Sequence, residues 1–580
     1  MVGPLTLLII GLPWLGAIII FCLGKRRPRL LQILAIVFAA LSGIATLAVL
    51  PQATSAEVVR ISLGGSFGDL TLVSDGLGVS IAAIATLVGS AAIIFALDYM
   101  RDEHQLGRFY ALVLFFIGAM AGLALSGSLL FTFIFWEITA LCSYALISFH
   151  NDNPQAVAGG IKALIMTQVG GIGLLAGALL VHGYLGSFQI NVFLAHYQSL
   201  PQGILSVLAF AFLAAAAAKS AQVPFHSWLP DAMEAPTPVT ALIHAATMVN
   251  AGVYLLARFS PAFAQVPGWS LAVMIVGAAS ALLAGLMALV ANDIKRVLAY
   301  STISQLGYMF YAVGSGGIFA SQLHLLSHAL FKALLFLSAG AIITAVGTRD
   351  MTQMGGLRKR MPFVHAMFII GSLGLVGLPI ANGFLSKELV LEGGLSHGPF
   401  WLYLIMLFGV GITALYTIRL WTKVFLGESH GSMPVHDGQP AMRVSLTLLA
   451  FGTLTSWLLA GSFSQLLAST LPFHSLQAES TWTLIQHVVL SPSTWVALGV
   501  IALGFGFWFL RERFSRVTGM FKPLLENGFG FDALNRGIVR VTDQAAKFLQ
   551  ITQTGQLNWN VLGILAGLCL VLLILSGGVR

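Results

Sequence analysis

Apolar runs of about eighteen residues or more recur along almost the whole chain, and each is long enough for one helical crossing of a bilayer. About sixteen are legible, near 4–24, 30–50, 77–99, 108–127, 129–149, 161–184, 203–222, 237–258, 269–291, 297–315, 318–346, 362–384, 400–425, 441–465, 492–510 and 558–576. Lipid offers no hydrogen-bond partner to backbone groups, so runs of this length and number restrict the chain to an all-α polytopic membrane protein. Composition agrees: 57% of the 580 residues are hydrophobic, only 9% are charged, and the mean hydropathy is +0.90, which excludes a soluble globular enzyme. The first run is too long for a cleaved signal and is followed closely by "GKRRPR", so it is expected to remain as the first helix.

Basic loops stay on the cytoplasmic side of a membrane. Threading the runs with the N-terminus outside puts "KRRPR" (25–29), "RDEHQLGR" (101–108), "NDIKR" (292–296), "GLRKR" (356–360) and "RERFSR" (511–516) all on that side. The opposite loops 185–202 and 466–491 carry almost no basic residues. The net charge of +8 therefore follows from topology and gives no reason to expect a nucleic-acid partner. Cys22, Cys142 and Cys569 lie far apart within apolar runs, so neither a disulfide framework nor a thiolate metal or iron–sulfur site is indicated, and no cofactor is expected.

No soluble domain fits between the runs. The longest polar stretch, 511–556, contains "FDALNRGIVRVTDQAAKFL", whose apolar residues recur at helical spacing and predict a short amphipathic helix lying laterally on the cytoplasmic surface. Two runs are punctuated by proline and glycine, "AKSAQVPFHSWLPDAMEAPTP" (218–238) and "GLVGLPIANGFLSKELVLEGG" (374–394). A matched pair of interrupted segments points to an inverted-repeat transporter with its site near the midplane. The expected organisation is N-terminal helices over 1–107, two inverted five-helix repeats over 108–260 and 261–426, C-terminal helices over 427–510, the lateral segment 511–556 and a final helix in 557–580.

Charges inside these runs are the candidate functional groups. Lys219 follows five alanines in "FLAAAAAKSAQVP", too deep for easy snorkelling. Glu137 lies in the middle of "LLFTFIFWEITALCSYALI", where an unpaired carboxylate would protonate, so Lys219 is its economical partner; an inert structural pair is the competing reading. In "SQLHLLSHALFKALLFL", His324, His328 and Lys332 recur every four residues and share one helical face. Zinc binding by the two histidines competes with a proton relay, but "HLLSH" lacks the HExxH glutamate and offers no third ligand. Lys387 and Glu388 follow the second interruption, and His244 follows the first and could join Lys219 to the histidine stripe. Asp231, Glu234, Asp293, Lys295 and Arg296 fall at the cytoplasmic edge, as interfacial anchors and caps or as proton-entry groups, and Lys162 reads as a snorkelling lysine. Lysines and histidines in series suit proton movement and do not suit a sugar or peptide site.

At these residues the sequence resembles the antiporter-like subunit family shared by respiratory complex I (subunit L, or subunit 5 of mitochondria), Mrp-type Na⁺/H⁺ antiporters and membrane-bound hydrogenases. The matching stretches are "FWEITALCSYALI", "KSAQVPFHSWLPDAMEAPTPVTALIHAATMVNAGVYLLAR", "NDIKRVLAYSTISQLGYMF", "HALFKALLFLSAG", "MGGLRKRMP" and "NGFLSKE". The resemblance implies two inverted repeats and a lateral helix. It further implies that Glu137 and Lys219 form a modulating pair, that Lys332 is the central carrier, and that Lys387 is the exit-side group, linked by histidines and waters. It implies a bacterial inner-membrane location and other membrane subunits as partners. The implied function is proton translocation, with Na⁺ exchange left open. A peripheral redox subunit, as in a quinone oxidoreductase or hydrogenase, and a zinc protein driving inorganic-carbon uptake are the alternatives for the coupling partner. Within the family, Gln168 and Gly171 depart from the arginine and aspartate typical of complex I, and Asn250 stands where the Mrp chain often has lysine.

Overall fold

The computed structural model describes residues 2–24, 27–53, 57–62, 68–428, 436–510, 523–526 and 528–552. The helices of the first part are α1 (Val2–Leu23), α2 (Pro28–Val49), α3 (Gly76–Tyr99), α4 (Leu106–Leu125), α5 (Leu129–Ile147), α6 (Pro154–Leu185), α7 (Ile190–His196), α8 (Gln202–Lys219), α9 (Trp228–Asp231), α10 (Thr237–Ala241) and α11 (Asn250–Phe263). The helices that follow are α12 (Trp269–Val290), α13 (Ile294–Gly314), α14 (Ile318–Val346), α15 (Leu357–Arg360), α16 (Pro362–Val376), α17 (Asn382–His397), α18 (Phe400–Phe425), α19 (Pro440–Thr455), α20 (Ala460–Thr470), α21 (Thr481–Leu490) and α22 (Pro492–Phe509).

Thirteen helices among the described residues are long and apolar enough to cross a membrane, counting 237–263 and 440–470 as one each. The other expected spans differ for identifiable reasons. Span 297–315 is the helix α13, long enough but too polar to be counted, and 362–384 divides into the short α16 and the start of α17. The sixteenth span, 558–576, lies outside the described residues, as do the basic stretches 25–26 and 511–516.

Polar caps start several of these helices. The Asp75 carboxylate accepts from the Gly78 amide at 2.9 Å at the head of α3, and Asp293 accepts from the Lys295 amide at 2.8 Å at the head of α13. Burial sorts the bundle: the segment 237–263 is buried along almost its whole length, whereas α22 is mostly exposed and turns Trp495, Leu503 and Phe509 outward as lipid-facing apolar surface.

Both punctuated runs are broken. α8 stops at Lys219, and the chain reaches α10 through Ala221 in the left-handed region, a cis Val223–Pro224 bond and the short α9. α16 stops at Gly377, whose φ of +84° only glycine adopts freely, and its amide and that of Leu378 both return to the Leu373 carbonyl at 3.0 Å. A third interruption is not foreshadowed in the sequence: Leu242–Ala246 forms one π-helical turn between α10 and α11. Nor is the two-stranded antiparallel hairpin of β1 (Glu57–Ser62) and β2 (Asp69–Ser74), in which Glu57 faces Ser74 and Ser62 faces Asp69.

The chain divides into two units, 1–517 and 518–580. In the second, α23 (Phe531–Thr552) is the helix expected within 511–556, with Leu534, Val539, Val541 and Phe548 exposed and Lys547 paired with Asp543 at 2.7 Å.

Candidate functional site

Lys219 is the last residue of α8 and is fully buried. Its Nζ donates to the Trp136 carbonyl at 2.7 Å and lies 5.0 Å from the centre of the Trp136 ring. Glu137 follows Trp136 on α5 but takes a different partner, accepting from the side-chain amide of Gln168 on α6. The two side chains do not form an ion pair with one another; each is bonded to a neutral group. Gly171, one turn beyond Gln168, completes this setting: a Cβ there would overlap Glu137 Oε1, an atom that is buried and has no protein partner. The two residues of α6 that depart from the complex I pattern are thus the two that accommodate Glu137.

The groups of α14 are joined to their neighbours by α13. Lys332 Nζ donates to Ser301 Oγ at 2.5 Å and to the Leu298 carbonyl at 3.3 Å. His244, in the π-helical turn, has Nδ1 3.2 Å from Thr302 Oγ1, and His324 has Nε2 3.2 Å from Gln305 Oε1. One face of one helix therefore offers Ser301, Thr302 and Gln305 to a lysine and two histidines from two other segments. His324 Nδ1 reaches Ser386 Oγ on α17 at 3.0 Å, immediately before Lys387. Both ring nitrogens of His328, His244 Nε2 and Gln305 Nε2 are buried with no protein partner. Such groups in a polar interior are positions that water satisfies.

Lys387 repeats the arrangement at the second break. Its Nζ points to the Leu375 and Val376 carbonyls at 3.5 and 3.3 Å, two of the carbonyls that the end of α16 leaves without a helical partner, and it lies 5.1 Å from the Tyr308 ring centre. Lys219 and Lys387 thus each sit at the C-terminal, negative end of a broken helix and over an aromatic face. Glu388 is 2% exposed and its Oε2 has no partner.

The edge charges form pairs that the sequence did not disclose. Lys162 does not snorkel alone: it meets Asp231 at 2.7 Å, and Asp231 also takes Arg296 at 3.2 Å. Arg349 bridges Glu234 at 2.8 Å and Asp293 at 3.2 Å. Lys295 stands in the first turn of α13. It is 3% exposed, and its Nζ donates to the Ala235 carbonyl at 2.7 Å, inside the first break. The Asn250 side-chain amide donates to the Ala245 carbonyl at 2.7 Å, an acceptor within the π-helical turn. Among the described residues no three His, Cys, Asp or Glu side chains gather closely enough to hold a metal ion.

One buried pair escaped sequence reasoning altogether. Arg258, near the end of α11, clasps the Asp75 carboxylate with both terminal nitrogens, Nη2 at 2.8 Å from Oδ1, and its Nε lies 3.3 Å from the Tyr254 hydroxyl. The pair borders a cavity of about 310 Å³ beside the hairpin. A signal was present: an arginine at the end of a run on the side otherwise poor in basic residues calls for a carboxylate partner.

Comparison with known proteins agrees with this architecture. The family described as NADH:quinone oxidoreductase/Mrp antiporter, transmembrane, matches residues 126–413, and the N-terminal family of complex I chain 5 matches 61–110. NADH-quinone oxidoreductase subunit L of Pseudomonas aeruginosa is 37% identical over 533 residues, covering 87% of this chain and 86% of that one. The F(420)H(2) dehydrogenase subunit L of Methanosarcina mazei is 38% identical over 423 residues, covering 66% and 63%. In structure, the chain is similar to one in the Mrp complex from Dietzia sp. DQ12-45-1b, with a TM-score of 0.85 at 27% identity, over 100% of this chain and 63% of that one. An integral membrane bundle with these matches and these broken helices belongs to the family of antiporter-like membrane subunits shared by NADH:quinone oxidoreductases and Mrp antiporters.

Proposed function

We propose that this chain moves protons across the membrane along Glu137, Lys219, His244, Lys332, His328, His324, Lys387 and Glu388, as one subunit of a larger membrane complex. The observation that carries the reading is the way its three central lysines are held. Lys219, Lys332 and Lys387 are each at most 1% exposed, and each ammonium hydrogen-bonds to carbonyl or hydroxyl oxygens, with no ion-pair partner among the described residues. A permanent, unpaired charge at that depth is costly, whereas a lysine that gains and loses its proton carries the cost only during transit. The serine, threonine and glutamine side chains of α13 and the unpartnered ring nitrogens support water-linked passage between the titrating groups.

The basic loops support an orientation with the N-terminus outside, and the kinship with bacterial chains supports a bacterial inner membrane as its location. The near-complete two-way coverage with a quinone oxidoreductase chain favours redox partner subunits as the drive, and the Mrp likeness keeps Na⁺/H⁺ exchange as the second reading. Purification of the complex in mild detergent and identification of its subunits separates these from a zinc-protein partner.

The reading is tested in proteoliposomes containing the assembled complex, energised by NADH or by a Na⁺ gradient according to which drives the parent. Lys219→Ala should lower proton movement about 100-fold and Glu137→Gln about tenfold, in the range of lost acid–base groups. Parent rates in both variants, at equal assembly, would refute it. Gly171→Ala isolates the setting of Glu137. The overlap is with the mobile end of one side chain, so the helix should be unharmed or gain up to about 1 kcal/mol in melting experiments. Transport should nevertheless fall as in Glu137→Gln, and adding Gly171→Ala to that variant should change nothing further.

A further inference from the structure

The described axis ends at Glu388, a buried carboxylate that needs a way to water. α17 supplies one. Glu392 lies one turn beyond Glu388 on the same face, and its Oε1 is 3.2 Å from Nε2 of His487 on α21. Exposure rises stepwise along this line, from 2% at Glu388 to 19% for the Glu392 side chain and 57% for that of His487. Glu388 Oε2 and Glu392 Oε2 are both buried without a protein partner, so the two carboxylates present free acceptors within one helical turn.

We propose that Glu392 and His487 form the outer terminus of the proton path, delivering protons from Glu388 to the water on the side of α21. This rests on the translocation reading above and adds two residues to it. The steps balance as proton transfers alone. Glu388, loaded from the Lys387 ammonium, passes its proton to the Glu392 carboxylate through a water molecule. Glu392 passes it to His487 Nε2, and the imidazolium releases the proton on Nδ1 to bulk water, after which the ring returns to its starting tautomer. An alternative role for the pair, fastening α21 to α17, would require neither the free carboxylate oxygens nor the exposed ring.

The experiment uses the intact complex in the same proteoliposomes. Glu392→Gln should lower proton movement about tenfold, while Glu392→Asp, which keeps the carboxylate, should retain at least about half. His487→Ala should lower it about threefold or more, and imidazole added on the α21 side should restore most of the loss, since a soluble base can replace a proton carrier at an exposed position. A parent rate in Glu392→Gln, or a His487→Ala loss that imidazole does not move, would overturn the proposal. Lys219→Ala and Lys332→Ala are measured alongside. If they stop transport while Glu392→Gln does not, only this terminus is wrong; if they too run at the parent rate, the translocation reading itself falls.

Discussion

Lys332→Arg should reduce proton movement about 100-fold or more in a complex that still assembles, as severe a loss as Lys332→Ala. The two substitutions remove different things. Alanine removes charge and proton together, whereas arginine keeps a positive charge at the same place but does not give up its proton. If Lys332 served only as a fixed charge holding α14 against Ser301 and Leu298 of α13, arginine would rescue it. If it is a carrier, arginine is as inactive as alanine. Arginine also brings five donors to a site with two acceptors, so assembly is checked by size-exclusion chromatography of the detergent-solubilised complex. An arginine variant within about threefold of the parent rate would remove Lys332 from the carrier role.

Asp75→Ala should destabilise the chain by about 3–5 kcal/mol, because it leaves the Arg258 guanidinium buried and unpaired. The loss of the α3 cap adds about 1 kcal/mol. The expected readout is a sharply lower melting temperature and a reduced amount of the chain in membranes. Asp75→Leu combined with Arg258→Met should regain most of this, since replacing both partners removes the stranded charge. An Asp75→Ala variant that melts with the parent would show that water or lipid headgroups already satisfy Arg258.

The sequence and the structure agree where a chemical contrast marks the feature. The stripe of His324, His328 and Lys332 is readable because polar residues four apart stand out in an apolar helix, and both lysine-bearing breaks are readable because proline and glycine mark them. The neutral half of the site is hidden for the opposite reason. Ser301, Thr302 and Gln305 sit in an apolar run without drawing attention, yet they hold Lys332, His244 and His324. The π-helical turn at Leu242–Ala246 has no breaker residue to announce it; the bonds that accompany it are local, the side chains of Thr247 and Asn250 donating to the Leu242 and Ala245 carbonyls five residues back. Partners separated widely along the chain, such as Lys162 and Asp231 or Asp75 and Arg258, follow from packing, which no local pattern encodes. The expectation that Glu137 and Lys219 pair rested on charge balance and on the family resemblance, and the structure places the Trp136 carbonyl on Lys219 and Gln168 on Glu137.

The polar side chains of α13 also bear on how the protein is made. A helix too polar to be counted as a membrane span gains little by leaving the insertion machinery alone. Its preceding neighbour α12 is strongly apolar, and the two cross where Gly277 and Gly307 bring their backbones into contact, so that a Cβ on either glycine would strike the other helix. α12 and α13 are therefore suited to enter the bilayer as one hairpin, with the glycine crossing formed before Lys332 and the histidines of the later α14 arrive. The polar side chains of α13 thus make the protein's biogenesis depend on the order in which helices are released, and a bulkier residue at Gly277 or Gly307 would act on yield in the membrane before it acted on transport.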